Sequence, residues 1–275
     1  MTSQRIPKRF DLNVMLEHLW PQYFDQARYN VALPNPEWFD RHDMRFLREL
    51  DMIWAKTQNG VRIYQQLNCV TYCIGFASED RFDAGVTRQR QFLHLAGASR
   101  IKGTTNTVNV WAQHQAWPML NVVQDPREAK ATPAAANITH CIEYLDGAKP
   151  AEYARLRHMQ NSHKFHICLS ETDAWGHYLV EALGVGAITL TTDAPPMNEL
   201  VRPDRGLLVP YARTGQMALA ATYHFDEQAL VRSVEQAISL SDAELEKMST
   251  HARAWFLENN RTFPSRVGRA IQAVA

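Results

Sequence analysis

The chain has 275 residues, 45% hydrophobic and 21% charged, with 29 Lys+Arg against 29 Asp+Glu. Zero formal charge sets aside a general affinity for nucleic acid or an anionic membrane, and the length suits one large domain or two small ones with a real core. The basic opening MTSQRIPKRF lacks an unbroken apolar run, and no stretch reaches the roughly 20 apolar residues that cross a bilayer. The expectation is a soluble, cytoplasmic chain, with peripheral attachment at the inner membrane face left open. Cys69, Cys73, Cys141 and Cys168 have no zinc-type spacing and read as reduced thiols.

In chain order, DLNVMLEHL reads as a strand and YNVALPNPEWF as a second, stopped by prolines. HDMRFLRELDMIWAKT holds a short helix and a third strand, NGVRIYQQL a helix and VTYCIGFAS a fourth strand. The charged SEDRFDAGVTRQRQ, Ser78 to Gln91, is the predicted linker, and an N-terminal α/β domain is placed at 1–86. After it QFLHLAG, MLNVVQD, KFHICLS, AITLTTD and GLLVPY read as strands and NITHCIEYL as a strand or turn. TTNTVNVWAQH, PAEYARLRHMQNS and GHYLVEALGVG read as helices between them. Three helical stretches close the chain: DEQALVRSVEQAISL, then SDAELEKMSTHARAWFLENN capped at Ser241 with Glu244, then PSRVGRAIQAV with Pro264 in its first turn. Strands alternating with helices predict an α/β protein with two Rossmann-like parallel-sheet domains facing a cleft, the N-terminal one reduced. Ligands in such sheets bind beyond the C-terminal strand ends.

Two post-strand loops could carry chemistry. In HLAGASRIKGTT, Gly97, Ser99 and Gly103 allow close backbone approach while Arg100 and Lys102 supply charge, a pattern suited to phosphate. A turn with solvated charges is the plainer reading. In SETDAWGHYLVEALG, Asp173 precedes a helix starting near Gly176, and Glu181 lies eight residues on, inside an otherwise apolar helix. A lone carboxylate there needs a partner, and a ribose diol is one. A helix cap plus a half-exposed Glu is the alternative. His177 falls at the positive helix end, where it suits a phosphate oxygen or a cap.

Taken together, Lys102-Gly103, NITHCIEYL, HICLSETDAWGHYLVEALGVGAITLTTDAPPMNELV and RGLLVP, in order over Phe92 to about Pro210, resemble the GT-B glycosyltransferases of the retaining class called family 4. The resemblance implies a C-terminal nucleotide-sugar-binding domain at 87–263 and a helix, 264–275, crossing back to the N-terminal domain. It implies that Glu181 holds the ribose and that Asp173, one methylene shorter than the usual Glu, flanks the donor. Lys102 with Arg100 would face the diphosphate. Gly97, Ser99 and Gly176 would line it, Ile138 and His140 would lie where the base is held, and Pro195, Met197 and Asn198 would face the donor sugar. His18 and Glu17 are the candidates for an N-terminal residue lining the sugar.

The implied activity is transfer from a UDP-, GDP- or other nucleotide sugar to an acceptor hydroxyl of a glycan, lipid-linked sugar, protein or small molecule. Retention, no metal and no cofactor are expected, with Lys102, Arg100, Asp173 and His177 as catalytic residues and homo-oligomerisation left open. Two rivals remain: a non-catalytic nucleotide-sugar-binding scaffold, and an epimerase or phosphorylase of the same fold.

Overall fold

Nearly every strand pairs in parallel, as the strand–helix alternation requires. The computed structural model describes residues 9–274; the basic opening, residues 1–8, and residue 275 lie outside them. The chain divides into two compact units, Met1–Phe76 with Gln216–Ala221 and Thr262–Ala275, and Ala77–Gly215 with Thr222–Arg261.

The first unit holds a four-stranded parallel sheet ordered β1 (Phe10–Leu16), β2 (Ala27–Leu33), β3 (Met52–Ala55), β4 (Thr71–Cys73). A 3₁₀ stretch, Arg41–Glu49, stands where the sequence reads as a short helix. Helix α1 (Gln58–Gln66) begins at Thr57, whose hydroxyl accepts from the Gly60 amide at 3.2 Å, an N-cap worth about 1 kcal/mol. Ile53 and Tyr64 pack on one face of the sheet, and Val31, Trp54 and Ile74 with Ala270 on the other. His18 follows β1 on the surface, after Glu17 at φ +63°.

The second unit is built on β5 (Gln89–Gly97), β6 (Leu120–Gln124), β7 (Ile138–Ile142), β8 (His163–Cys168), β9 (Ile188–Thr192) and β10 (Gly206–Val209). They pair in parallel in the order β10-β9-β8-β5-β6-β7. Connections through α2 (Thr104–Ala112), α3 (Pro150–Ser162) and α4 (His177–Gly184) bring the loops after β5 and β8 side by side, because those strands are neighbours. The core beneath is aromatic: Phe92 stacks on Phe165 at 4.5 Å and meets Trp111 edge-on at 4.8 Å. Each such fully buried ring contributes roughly 1.5–3 kcal/mol.

Three departures from the sequence reading stand out. The strands β11 (Tyr211–Met217) and β12 (Ala220–Phe225), and the short α5 (Met197–Leu200), were not predicted. After α6 (Glu227–Ser239), the last two predicted helices are one, α7 (Asp242–Val274), with Pro264 inside it rather than in a first turn. Its start is as expected: the Ser241 hydroxyl accepts from the Glu244 amide at 3.3 Å while Glu244 accepts from the Ser241 amide at 2.8 Å. Finally, the charged stretch after Phe76 belongs to the second unit. Arg253 pairs with Asp80 at 2.6 Å, Asn260 donates to the Ser78 carbonyl at 2.7 Å, and Asn161 to the Arg81 carbonyl at 2.7 Å. All four cysteines are free thiols. Among the described residues no helix is long and apolar enough to cross a membrane.

Candidate functional site

The two loops chosen from the sequence meet in the second unit. Beyond β5, Gly97 (φ +54°) turns the chain and its carbonyl accepts from the Asp125 amide at 2.9 Å. Gly103 (φ +66°) then opens α2 so close to the next loop that a Cβ there would lie 3.0 Å from the Leu169 carbonyl. Between these glycines Lys102 reaches across to the loop after β8. Its ammonium donates to Asp173 Oδ2 at 3.1 Å and Ser170 Oγ at 3.4 Å, and sits 3.5 Å from the Tyr178 ring centroid. The ion pair is largely enclosed, with 13% and 21% of the two side chains exposed.

Asp173 explains its own short side chain. Its other oxygen, Oδ1, accepts from the amides of Gly176 at 2.7 Å and Trp175 at 3.3 Å, an Asx turn that leads into α4. Gly176 takes φ +73° at the N-cap, a left-handed conformation that costs other residues about 1–2 kcal/mol. Asp173 is thus engaged both in local structure and in holding Lys102. His177 follows, exposed, with Nδ1 2.9 Å from the Ser78 hydroxyl, which also accepts from the indole of buried Trp175 at 3.2 Å.

Glu181 is not the solitary carboxylate that its apolar helix suggested. Its Oε2 accepts from Arg81 Nη1 at 3.0 Å and from Gln160 Nε2 at 3.0 Å, with only 12% and 11% of the Arg81 and Glu181 side chains exposed. Burial pushes its pKa up, and Arg81, Gln160 and Lys102 pull in the opposite direction. Arg81 lies in the stretch taken for a linker, 100 positions upstream, so no local pattern could have revealed it. Gln160, Ser170 and Tyr178 were missed too; a fully buried Gln on α3 is a signal only once burial is known.

Other expected residues lie elsewhere. Arg100 does not accompany Lys102: it is 81% exposed and donates to Glu128 at 2.7 Å. With Ser99 it lines a cavity of ≈ 470 Å³ beside the start of α2, which Gly103 and Glu171 of the two loops also line, together with Arg127, Arg213 and His224. Ile138 begins β7, paired with Leu120 at the start of β6, and packs against the core. The C-terminal end of β7, Ile142, is four residues further on. His140, mid-strand, is held by Gln124 at 3.1 Å and Thr132 at 3.2 Å. Met197 is 1% exposed and points into the core, Pro195 is half-buried just ahead of it, and Asn198 donates to Asp193 at 3.1 Å.

No family model matches the chain, and no curated protein matches it. Solved structures do. Pneumococcal O-GlcNAc transferase GtfA, in complex with UDP and GlcNAc, aligns at 12% identity with a TM-score of 0.66 over 95% of this chain and 56% of its own. Sucrose-phosphate synthase from Thermosynechococcus elongatus aligns at 13% identity and TM-score 0.70, over 96% and 73%. HepE from Anabaena, in complex with UDP, aligns at 14% and 0.70, over 95% and 79%. The fold is GT-B. The chain spans just over half of the GtfA length. Within the GT-B fold, the loops after β5 and β8 lie at the C-terminal ends of adjacent strands, the position at which open parallel sheets take ligands.

Proposed function

We propose that this GT-B chain is a glycosyltransferase that moves a sugar from a nucleoside diphosphate sugar to an acceptor hydroxyl, with retention and without a divalent metal. One observation carries the reading: Lys102, from the loop after β5, meets Asp173 at 3.1 Å beside the start of α4, the helix whose second turn bears Glu181. A cation and a positive helix end converging at strand ends form a seat for a diphosphate, and a carboxylate one turn along is suited to a ribose diol. The UDP and sugar complexes of GtfA and HepE, and glycosyltransfer with retention named for trehalose-6-phosphate synthase, support the same class.

In the reaction the bond from the anomeric carbon to the β-phosphate oxygen breaks. A bond to the acceptor oxygen forms on the same face, and the acceptor proton passes to the departing phosphate. Negative charge grows on the diphosphate as this happens. Lys102 and the α4 N-terminus stabilise it, with His177 as a further donor at the same helix end; one such preorganised donor is worth ~2.7–4 kcal/mol. Asp173 acts by holding Lys102 in place. Lys102→Met is therefore expected to lower turnover of UDP- or GDP-sugar on the order of 10²–10³-fold, with an unchanged circular dichroism spectrum and with wild-type turnover insensitive to EDTA. Turnover by the folded variant equal to wild type overturns the proposal.

A further inference from the structure

The most heavily constrained polar cluster in the second unit lies between α4, α3 and the stretch after Phe76, and only Glu181 in it has a role so far. Arg81 is fixed from every side. Its carbonyl accepts from Asn161 at 2.7 Å and from Arg157 at 3.2 Å. Its Nε donates to Glu79 at 3.1 Å, Glu79 also accepts from the Tyr153 hydroxyl at 2.8 Å, and the guanidinium lies 5.5 Å from the Tyr153 ring. Gln160 and Asn161 are fully buried. An arginine anchored by backbone and head group in this way is preorganised, with little rotamer freedom left to lose.

Both bonds to Glu181 from this cluster fall on Oε2. Oε1 takes no hydrogen bond among the described residues, yet it is not among the buried atoms left without a partner, so it keeps access to solvent. We infer that Arg81 is a positioning residue of the donor site, fixing the Glu181 carboxylate by one oxygen and keeping it charged so that the other is presented to the ribose hydroxyls. This rests on the reading of Glu181 as the ribose-binding residue. A carboxylate buried to this degree without a cation would take up a proton instead, and a protonated acid can accept from only part of a diol. The charged or titratable groups around Glu181 are Arg81 and Glu79 on the stretch after Phe76, Lys102 beyond β5 and Cys168 at the end of β8. Arg157 and Tyr153 stand on α3 with Gln160. Of these, Arg81 alone is a cation in direct contact with Glu181.

Calorimetry of UDP and GDP binding to the full chain, in two buffers of different ionisation enthalpy between pH 6 and 8.5, tests the inference. Above pH 7, where the terminal phosphate of the nucleotide is already ionised, wild type is expected to bind with less pH dependence and less proton release than the Arg81 variants. Arg81→Gln, which keeps a hydrogen-bond donor and loses the charge, should bind about tenfold more weakly at pH 7, regain affinity as pH rises, and release protons on binding, as a buried carboxyl that has lost its cation requires. Arg81→Lys, which retains a cation and supports the fold if Arg81→Gln does not, should show the same change in smaller degree. Wild-type profiles in the folded Arg81 variants overturn the role of Arg81. Wild-type affinity in Glu181→Gln overturns instead the ribose assignment beneath it, so the two failures are told apart.

Discussion

At the scale of single residues, Asp173 is the sharpest case, because its length decides between two roles. The resembling family carries a Glu there, whereas this Asp closes an Asx turn onto the Gly176 amide at 2.7 Å and holds Lys102 with its second oxygen. One more methylene would carry the carboxylate past both partners. Asp173→Glu is therefore expected to destabilise the chain by about 1 kcal/mol, the usual size of a lost cap, and not to improve turnover. Urea denaturation checks it, and an equally or more stable variant would show that the Asx turn contributes nothing. The sequence made Asp173, Lys102, Gly103 and Gly176 visible, since glycines and charges at strand ends are local signals. It hid Arg81, because a buried ion-pair partner 100 residues away leaves no mark on the periodicity around either residue. Nor could it show that Arg100, which shares a loop with Lys102, donates to Glu128; the direction of a side chain in a loop is not set by spacing.

At the scale of elements, the central strands carry two buried histidines whose titration links stability to pH. On β5, His94 bridges the Ile167 carbonyl and the Thr104 hydroxyl, both at 2.9 Å, an arrangement that the neutral ring satisfies completely. Burial pushes His94 down to about 4, and burial pushes His166 on β8 down to about 3. Both lie below the unfolded value of about 6.5. Between these limits the unfolded chain binds the extra proton, so their contribution is full above pH 6.5 and is lost as pH falls toward 4 and then 3. Each contributes a slope of up to ~1.4 kcal/mol per pH unit; Glu181, displaced upward by burial, works in the opposite sense. The urea midpoint should fall steeply from pH 6.5 to 4, and His94→Gln should flatten that fall. An identical profile in the variant would mean that His94 is already protonated in the fold. The strands that carry these rings were legible as apolar runs. β11 was not: Tyr211 to Gln216 are exposed, so its sequence lacks the alternation of a half-buried strand. Pro264 misread in the other direction, since a proline inside a helix and one at a helix start look alike in sequence.

For the whole molecule, the α/β class and the doubled parallel sheet followed from alternation alone, while the division of the chain did not. A charged, weakly apolar stretch reads as a linker, yet Asp80, Arg81 and Asp83 are engaged by Arg253, Glu181 and the side chains of α3, which makes 77–88 part of the second unit. Every contact of the candidate site, from Ser78 and Arg81 through Lys102 and Gln160 to Asp173 and Glu181, falls inside that unit. So does the aromatic core from Phe92 to Phe225 that supports it. A domain with its own core and a site held by its own residues is expected to fold and bind alone. Residues 77–261, expressed as a fragment, should therefore unfold cooperatively and be stabilised by UDP or GDP as the full chain is, by ~2.7 kcal/mol at 100 times the dissociation constant. Thermal unfolding with and without nucleotide measures both. A folded fragment indifferent to a nucleotide that stabilises the full chain would mean that residues outside 77–261 complete the binding site, and an unfolded fragment would mean that the core from Phe92 to Phe225 is not sufficient by itself.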